Sequence, residues 1–261
     1  MIPLETILGF YPKPLCDQTI FRKYLLKEYI QLFILDYLST SPWLRKITFI
    51  GGTSIRLIKG IDRFSEDLDF DCKDLTEDEF VLMTDGILKF LFKNGWPAEI
   101  RDRDQKKLKA FRRNIYFPGL LYNLKLTGHQ DERFLIKVEA QDQKVTYVSE
   151  MVNVKGCGFY FPMRVPPGPV LAAMKVSAML NRQKGRDFYD VMFLLSQTLP
   201  DFDFLMKRNG IPDLEKLKEA IDQLVLTVNL KNKMRDFEHL LFLKANSAKI
   251  LRVGAFFRDL K

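Results

Sequence analysis

The chain has 261 residues, 47% hydrophobic and 28% charged, enough apolar material for one large or two modest domains; this excludes a disordered or low-complexity polypeptide. With 41 Lys and Arg against 33 Asp and Glu, it carries a net charge of +8, a balance suited to a polyanionic partner. Three scattered cysteines and two histidines provide neither a disulfide framework nor a zinc signature, and without a signal-like start or an apolar run of about 18 residues the expectation is a cytoplasmic protein with no membrane partner.

Residues 18–38 repeat apolar positions every three or four and predict an amphipathic helix. Ile47 to Ile50 predicts a strand running into a Gly51-Gly52 turn, followed by a short helix from Thr53 to Lys59 that Gly60 closes. Leu68 to Cys72 alternates in the way of a strand with one wet face. Thr76-Glu77-Asp78-Glu79 is a capping box opening a helix that Asn94-Gly95 terminates. Strand-like runs follow at 111–117, 120–126 and 133–140. The segment 162–169, with four prolines and a glycine, predicts a rigid connection. Beyond it the pattern is helical, at 168–182, 186–197, 213–228 and, in one or two pieces, 231–258.

The chemistry concentrates in residues 50–70. Asp67 and Asp69, two apart on a strand, present their carboxylates on one face. Such a pair suits Mg²⁺ or Mn²⁺, hard cations that take oxygen ligands from carboxylates and substrate phosphates. Ions held there can activate a hydroxyl and stabilise a departing pyrophosphate. Gly51 and Gly52 permit close approach, and the backbone N–H groups of the Gly51–Ser54 turn can receive phosphate oxygens, with the Thr53 hydroxyl as a further donor. Either feature alone reads as a solvated strand face or an ordinary turn; their combination in this order is what points to a nucleotide.

The segment Gly51-Gly52-Thr53-Ser54-Ile55-Arg56-Leu57, followed by Arg63-Phe64-Ser65-Glu66-Asp67-Leu68-Asp69-Phe70, resembles the AbiEii-like nucleotidyltransferases, the abortive-infection or type IV toxin branch of the polymerase β-like superfamily. The resemblance is strong over roughly residues 45–72 and moderate over 133–197. It implies an enzyme that moves an NMP from an NTP, with Mg²⁺ or Mn²⁺, onto an acceptor hydroxyl. The acceptor expected is RNA, at a tRNA 3′ end, and the biological role that of a toxin with an antitoxin partner. Where the superfamily often has Ser as the second turn residue this chain has Gly52, which shifts any hydroxyl contact to Thr53.

A third carboxylate is needed to complete the metal site or to accept the hydroxyl proton. Glu139 is the candidate: in 134–139, Ile136 and Val138 face the core, with Lys137 and Glu139 opposite; Asp142 is the fallback. Lys175 lies in a strongly apolar helix, where an ammonium must snorkel or meet an anion. Arg186-Asp187 and Asp190 put two acids on one helical face. The resemblance implies that Lys175 binds the triphosphate and that Asp187 has a supporting or catalytic role, while Asp190 orients its neighbours. The basic run 101–113 reads equally as a track for a polynucleotide backbone and as a charged strand edge, and the C-terminal basic residues Lys244, Lys249, Arg252 and Arg258 as polar helix faces.

The resulting expectation is an α+β fold, a mixed-sheet nucleotidyltransferase domain over 1–165 followed by a C-terminal helical bundle over 166–261. Asp67, Asp69 and Glu139 hold metal, Gly51, Gly52, Thr53, Ser54 and Lys175 bind the nucleotide, and Asp187 joins the acids in catalysis. The alternatives are a nucleotide- or RNA-binding regulator with a degraded site, or an enzyme that modifies protein hydroxyls.

Overall fold

Leu135–Gln141, whose residues alternate between buried and half-buried, is the middle strand of a five-stranded sheet. The computed structural model describes residues 2–102 and 110–261. It comprises two units: the first holds residues up to Lys59, Phe64–Gln143 and Glu150–Val165, and the second holds Gly60–Arg63, Lys144–Ser149 and Pro166–Lys261.

The first unit begins with short helices α1 (Leu4–Leu8) and α2 (Lys13–Cys16) and the long α3 (Thr19–Ser39). After β1 (Ile47–Ile50), the helical stretch 51–59 starts as α4 (Gly51–Ser54) and widens into a π turn over Ile55–Lys59. Then come β2 (Asp67–Cys72), α5 (Glu77–Lys93), β3 (Glu99–Ile100), β4 (Phe111–Tyr116), α6 (Leu120–Asn123), β5 (Leu135–Gln141) and a hairpin of β6 (Glu150–Gly156) and β7 (Phe159–Val165). The sheet order is β1-β2-β5-β4-β3, with only β2 and β5 parallel. Its apolar face, with Phe49, Leu68, Phe70, Ile136, Val138 and Ala140, shares one core with Ile30, Ile34 and Leu38 of α3 and Phe80, Met83 and Ile87 of α5. α5 carries the full capping box: Glu79 N–H donates to Thr76 Oγ1 at 3.2 Å and Thr76 N–H to Glu79 Oε2 at 3.0 Å.

The second unit contains α7 (Gly168–Arg182), α8 (Gly185–Leu195), α9 (Phe202–Asn209), α10 (Leu214–Thr227), α11 (Leu230–Arg235), two 3₁₀ segments (Glu238–Leu240 and Lys244–Arg252) and α12 (Val253–Asp259). Gly60–Arg63 is part of it: Arg63 bridges Leu241, and Phe242 N–H donates to the Asp62 carbonyl at 3.1 Å. α8 meets α11 so closely that a Cβ on Gly185 would overlap the Lys233 carbonyl group, 2.8 Å from its carbon. Gly185→Ala is therefore expected to lower stability by about 1–3 kcal/mol, the usual cost of overpacking. Urea melts give the value, and a variant as stable as the parent would show that α11 can retreat at no cost.

Four stretches differ from the sequence pattern. Residues 120–126 are not a strand: Gly119, at φ 62°, turns the chain into the single turn α6, which buries the adjacent Leu120 and Leu121 together as a strand cannot. The 162–169 connection is shorter than expected, because β7 runs through Pro162 to Val165; the hairpin turns on Cys157 and Gly158, both at positive φ. α9 arises where no helix was expected, with Asp201 accepting from Phe204 N–H at 2.7 Å and Gly210 at φ 71° closing it. The 231–258 stretch is broken up, and its buried residues Ser247, Ile250 and Val253 are three apart, the period of the 3₁₀ turn they form.

Candidate active site

Parallel pairing of β2 with β5 aligns Asp69 with Glu139 and Asp67 with Lys137, so all four side chains share the face opposite the core. Arg112 of β4, aligned with Glu139, joins them. The outward carboxylates are already engaged. Lys137 Nζ lies 3.0 Å from Asp67 Oδ2 and 3.3 Å from Glu139 Oε2. Arg112 Nε donates to Glu139 Oε2 at 2.9 Å. Burial works against the charge on Lys137, but Asp67 and Glu139 outweigh it and hold the ammonium above the usual lysine range. Asp142 follows the last residue of β5 and is off this row.

The turn before α4 abuts the acids. Gly51 has φ 81°, and a Cβ on it would lie 2.7 Å from Asp69 Cβ and 2.8 Å from its Cγ. Only glycine satisfies both the left-handed backbone and this close approach. Thr53, buried, donates its hydroxyl to the Asp67 carbonyl and thereby ties the turn to β2. The Ser54 hydroxyl, also buried, has no hydrogen-bond partner among the described residues. Arg56 grips Glu28 of α3 through two hydrogen bonds of 2.8 and 3.2 Å, which fixes the helical stretch behind the turn.

The Arg-Phe-Ser-Glu prefix anchors the chain on its way into β2. Phe64 packs against Phe21 and Tyr24, with ring centroids 5.2 Å away in each case. Gln31 donates to the Ser65 carbonyl at 3.2 Å, and Lys27 pairs with Glu66 at 2.9 Å. Arg63 belongs to the second unit, where it makes a bidentate pair with Asp190, both contacts at 2.6 Å.

Lys175 is 6% exposed and pairs with the same Asp190 at 2.9 Å. Burial disfavours the Asp190 charge, but Arg63 and Lys175 overcome it and draw the carboxyl down to about 2. Asp187 is fully buried; it accepts two bonds from Arg182, at 2.8 and 2.6 Å, and one from Lys184 N–H at 3.2 Å, which ties the first turn of α8. The basic run 101–113 lies largely outside the described residues; of the rest, Arg113 pairs with Asp85 at 2.6 Å and Arg101 stacks 3.7 Å over Tyr116.

Sequence reasoning missed three residues. Lys137 and Arg112 were visible as charges of the right strand phase, but only cross-strand register brings them to Asp67 and Glu139. Arg63 was read as part of a motif, and nothing in its local sequence reveals a partner 127 positions away.

The three acids differ from a ready-made metal cage, since among the described residues no three His, Cys, Asp or Glu side chains are close enough to hold an ion together. Lys137 and Arg112 pair with Asp67 and Glu139 on this face. The donor chemistry nonetheless fits a hard divalent cation: carboxylate oxygens from Asp67, Asp69 and Glu139 on one sheet face. Among the described residues no helix is long and apolar enough to cross a membrane.

The fold is shared with known structures. MenT4, a nucleotidyltransferase toxin from Mycobacterium tuberculosis, is similar at a TM-score of 0.63 and 17% identity, over 100% of this chain and 91% of that one. JHP933 from Helicobacter pylori is similar at a TM-score of 0.55 and 19% identity, over 90% of each chain. No curated protein matches the chain. The family description "Nucleotidyl transferase AbiEii toxin, Type IV TA system" matches residues 33–225, a span that takes in the Gly51 turn, the β2 acids, Glu139 and the α7–α8 charges. With that match over most of its length, the chain belongs to the AbiEii nucleotidyltransferase toxins of type IV toxin–antitoxin systems.

Proposed function

We propose that the protein transfers an NMP from an NTP to a hydroxyl of RNA, with a tRNA 3′ end as the acceptor. The observation that carries this reading is the row formed by Asp67, Asp69 and Glu139 across β2 and β5, with Gly51 pressed against Asp69. Asp67, Asp69 and Glu139 would hold Mg²⁺ or Mn²⁺, which when bound supplies Lewis-acid stabilisation of the phosphoryl oxygens and a more acidic acceptor hydroxyl. Gly51 and Gly52 leave room for a phosphate chain, and their N–H groups together with the Ser54 hydroxyl donate to it. Thr53 keeps that turn seated on β2. Lys175, for the triphosphate, and Asp187, in support, enter the proposal on the family pattern; each also has an ion-pair partner in its own unit.

The net charge of +8 favours a polyanionic acceptor over a protein hydroxyl. The family's type IV assignment supports a toxin with a cognate antitoxin. Incubation with labelled NTPs, Mg²⁺ and total tRNA tests the reaction, with total protein as the competing acceptor. Label in the tRNA band is expected, and label confined to protein would overturn the RNA reading.

Lys137 acts in this scheme as the counter-ion of the metal-free acids. Lys137→Met is expected to tighten Mn²⁺ binding several-fold by calorimetry, because the ion no longer competes with an ammonium for Asp67 and Glu139. Unchanged or weaker binding would remove Lys137 from that role.

A further inference from the structure

The second unit contains a pocket of about 440 Å³ to which none of the foregoing chemistry refers. Its walls are Tyr189, Met192 and Phe193 from α8 and Phe256 from α12, and Lys249 and Arg252 of the last 3₁₀ segment stand over it. The one carboxylate in its lining, Asp62, is taken on both oxygens, by the Tyr189 hydroxyl at 2.7 Å and by Asn246 Nδ2 at 2.6 Å. Burial, and then the bond to Asp62, raise the Tyr189 phenol well above its ordinary range, so its hydroxyl remains a donor committed to that acid. The pocket thus offers aromatic and thioether surface with no carboxylate oxygen left over.

Two cations, Lys249 and Arg252, line the same pocket. Lys249 and Arg252 are exposed and form no ion pair among the described residues. Lys249 Nζ instead lies 5.9 Å from the centre of the Tyr189 ring. An apolar aromatic recess with two uncommitted cations at its rim complements a flat ring joined to an anion, which is the chemistry of a nucleotide. Stacking on aromatic side chains and charge contacts to the backbone are how single-stranded RNA is held without base-edge readout.

We infer that this pocket binds one nucleotide of a single-stranded RNA segment, with the base against Phe256 and Phe193 and its phosphate on Lys249 and Arg252. The occupant class rests on the RNA-acceptor reading above; the pocket's geometry does not. Equilibrium binding of a fluorescent single-stranded oligoribonucleotide, without NTP or metal, tests it. Phe256→Ala is expected to weaken binding about five-fold or more, the range of one lost stacking contact. Lys249→Glu with Arg252→Glu is expected to weaken it further and to reduce the slope of log K against log salt by about 1.4, roughly 0.7 for each phosphate contact to a single strand. Thermal melts check that each variant is folded, and the two charge changes, being on exposed side chains, supply the result if Phe256→Ala unfolds. Oligonucleotide affinity unchanged in the folded charge variant would overturn the proposal. So would competition by free AMP at the oligonucleotide's own affinity, which would make the pocket a mononucleotide site. Binding that responds to these variants while no RNA is labelled in the transfer assay would uphold the pocket and sink the RNA-acceptor reading instead.

Discussion

Asp69→Asn is expected to lower the rate of nucleotidyl transfer by about 10³-fold or more at saturating NTP and divalent metal, while the protein stays folded. Asp69 is aligned with Glu139 and touches the Gly51 turn, so it stands where the acids meet the turn proposed to receive the phosphates. Asn keeps the size and loses the charge, which separates the chemistry from packing. Loss of a carboxylate that helps hold an ion forfeits several kcal/mol of transition-state stabilisation, and each 1.4 kcal/mol is a factor of ten. Single-turnover label transfer gives the rate. A variant within ten-fold of the parent would mean that the row on β2 and β5 does not carry the reaction, whatever the family's chemistry.

Asp190→Asn is expected to cost about 3–5 kcal/mol of stability, because it removes the carboxylate charge that two buried cations share. Arg63 is 1% exposed and Lys175 6%, and Asp190 is the anion both contact. The loss has a defined pH dependence. Asp190 ionises at about 2 when folded, below the value of about 3.9 expected of an unfolded aspartate. A depressed folded value contributes stability that is complete above about pH 4 and is lost as the pH falls toward 2. The variant should therefore be much weaker than the parent at pH 7, with the gap narrowing at pH 3. Urea melts at both pH values decide this, and a loss below about 1 kcal/mol at pH 7 would show that water or another anion serves the two cations. Replacing all three groups by apolar residues should recover part of the loss, as buried ion clusters often allow.

The Arg63–Asp190 pair is one of the contacts that give the Arg-Phe-Ser-Glu prefix its physical meaning. Each of its four residues has a fastening role. Phe64 is wedged between aromatics of α3, Ser65 and Glu66 are bonded to Gln31 and Lys27 of the same helix, and Arg63 is the buried partner of Asp190. The prefix sets where β2 begins, and hence where Asp67 and Asp69 fall on the sheet.

What the sequence by itself determined is local. The two-residue period of β2 and β5 placed Asp67 with Asp69, and Lys137 with Glu139, on wet faces, because successive side chains of a strand alternate. The capping box at Thr76 marked the start of α5, and Gly60 and Gly95 marked turns, since these are effects of one residue on its near neighbours. It also held the α+β order and the acid pattern by which the family is known. Only the tertiary structure decided which strands meet. Parallel pairing of β2 with β5 puts Asp69 beside Glu139 across 70 positions of sequence and places Lys137 and Arg112 among the acids, a register that no strand encodes alone. It likewise turned Asp190 from one acid of a helical pair into the anchor of Arg63 and Lys175, because the partner of a buried charge is set by what packs against it. The C-terminal 3₁₀ turns have the same origin: spacings of three and four are hard to tell apart in a short apolar pattern, and burial of Ser247, Ile250 and Val253 selected three.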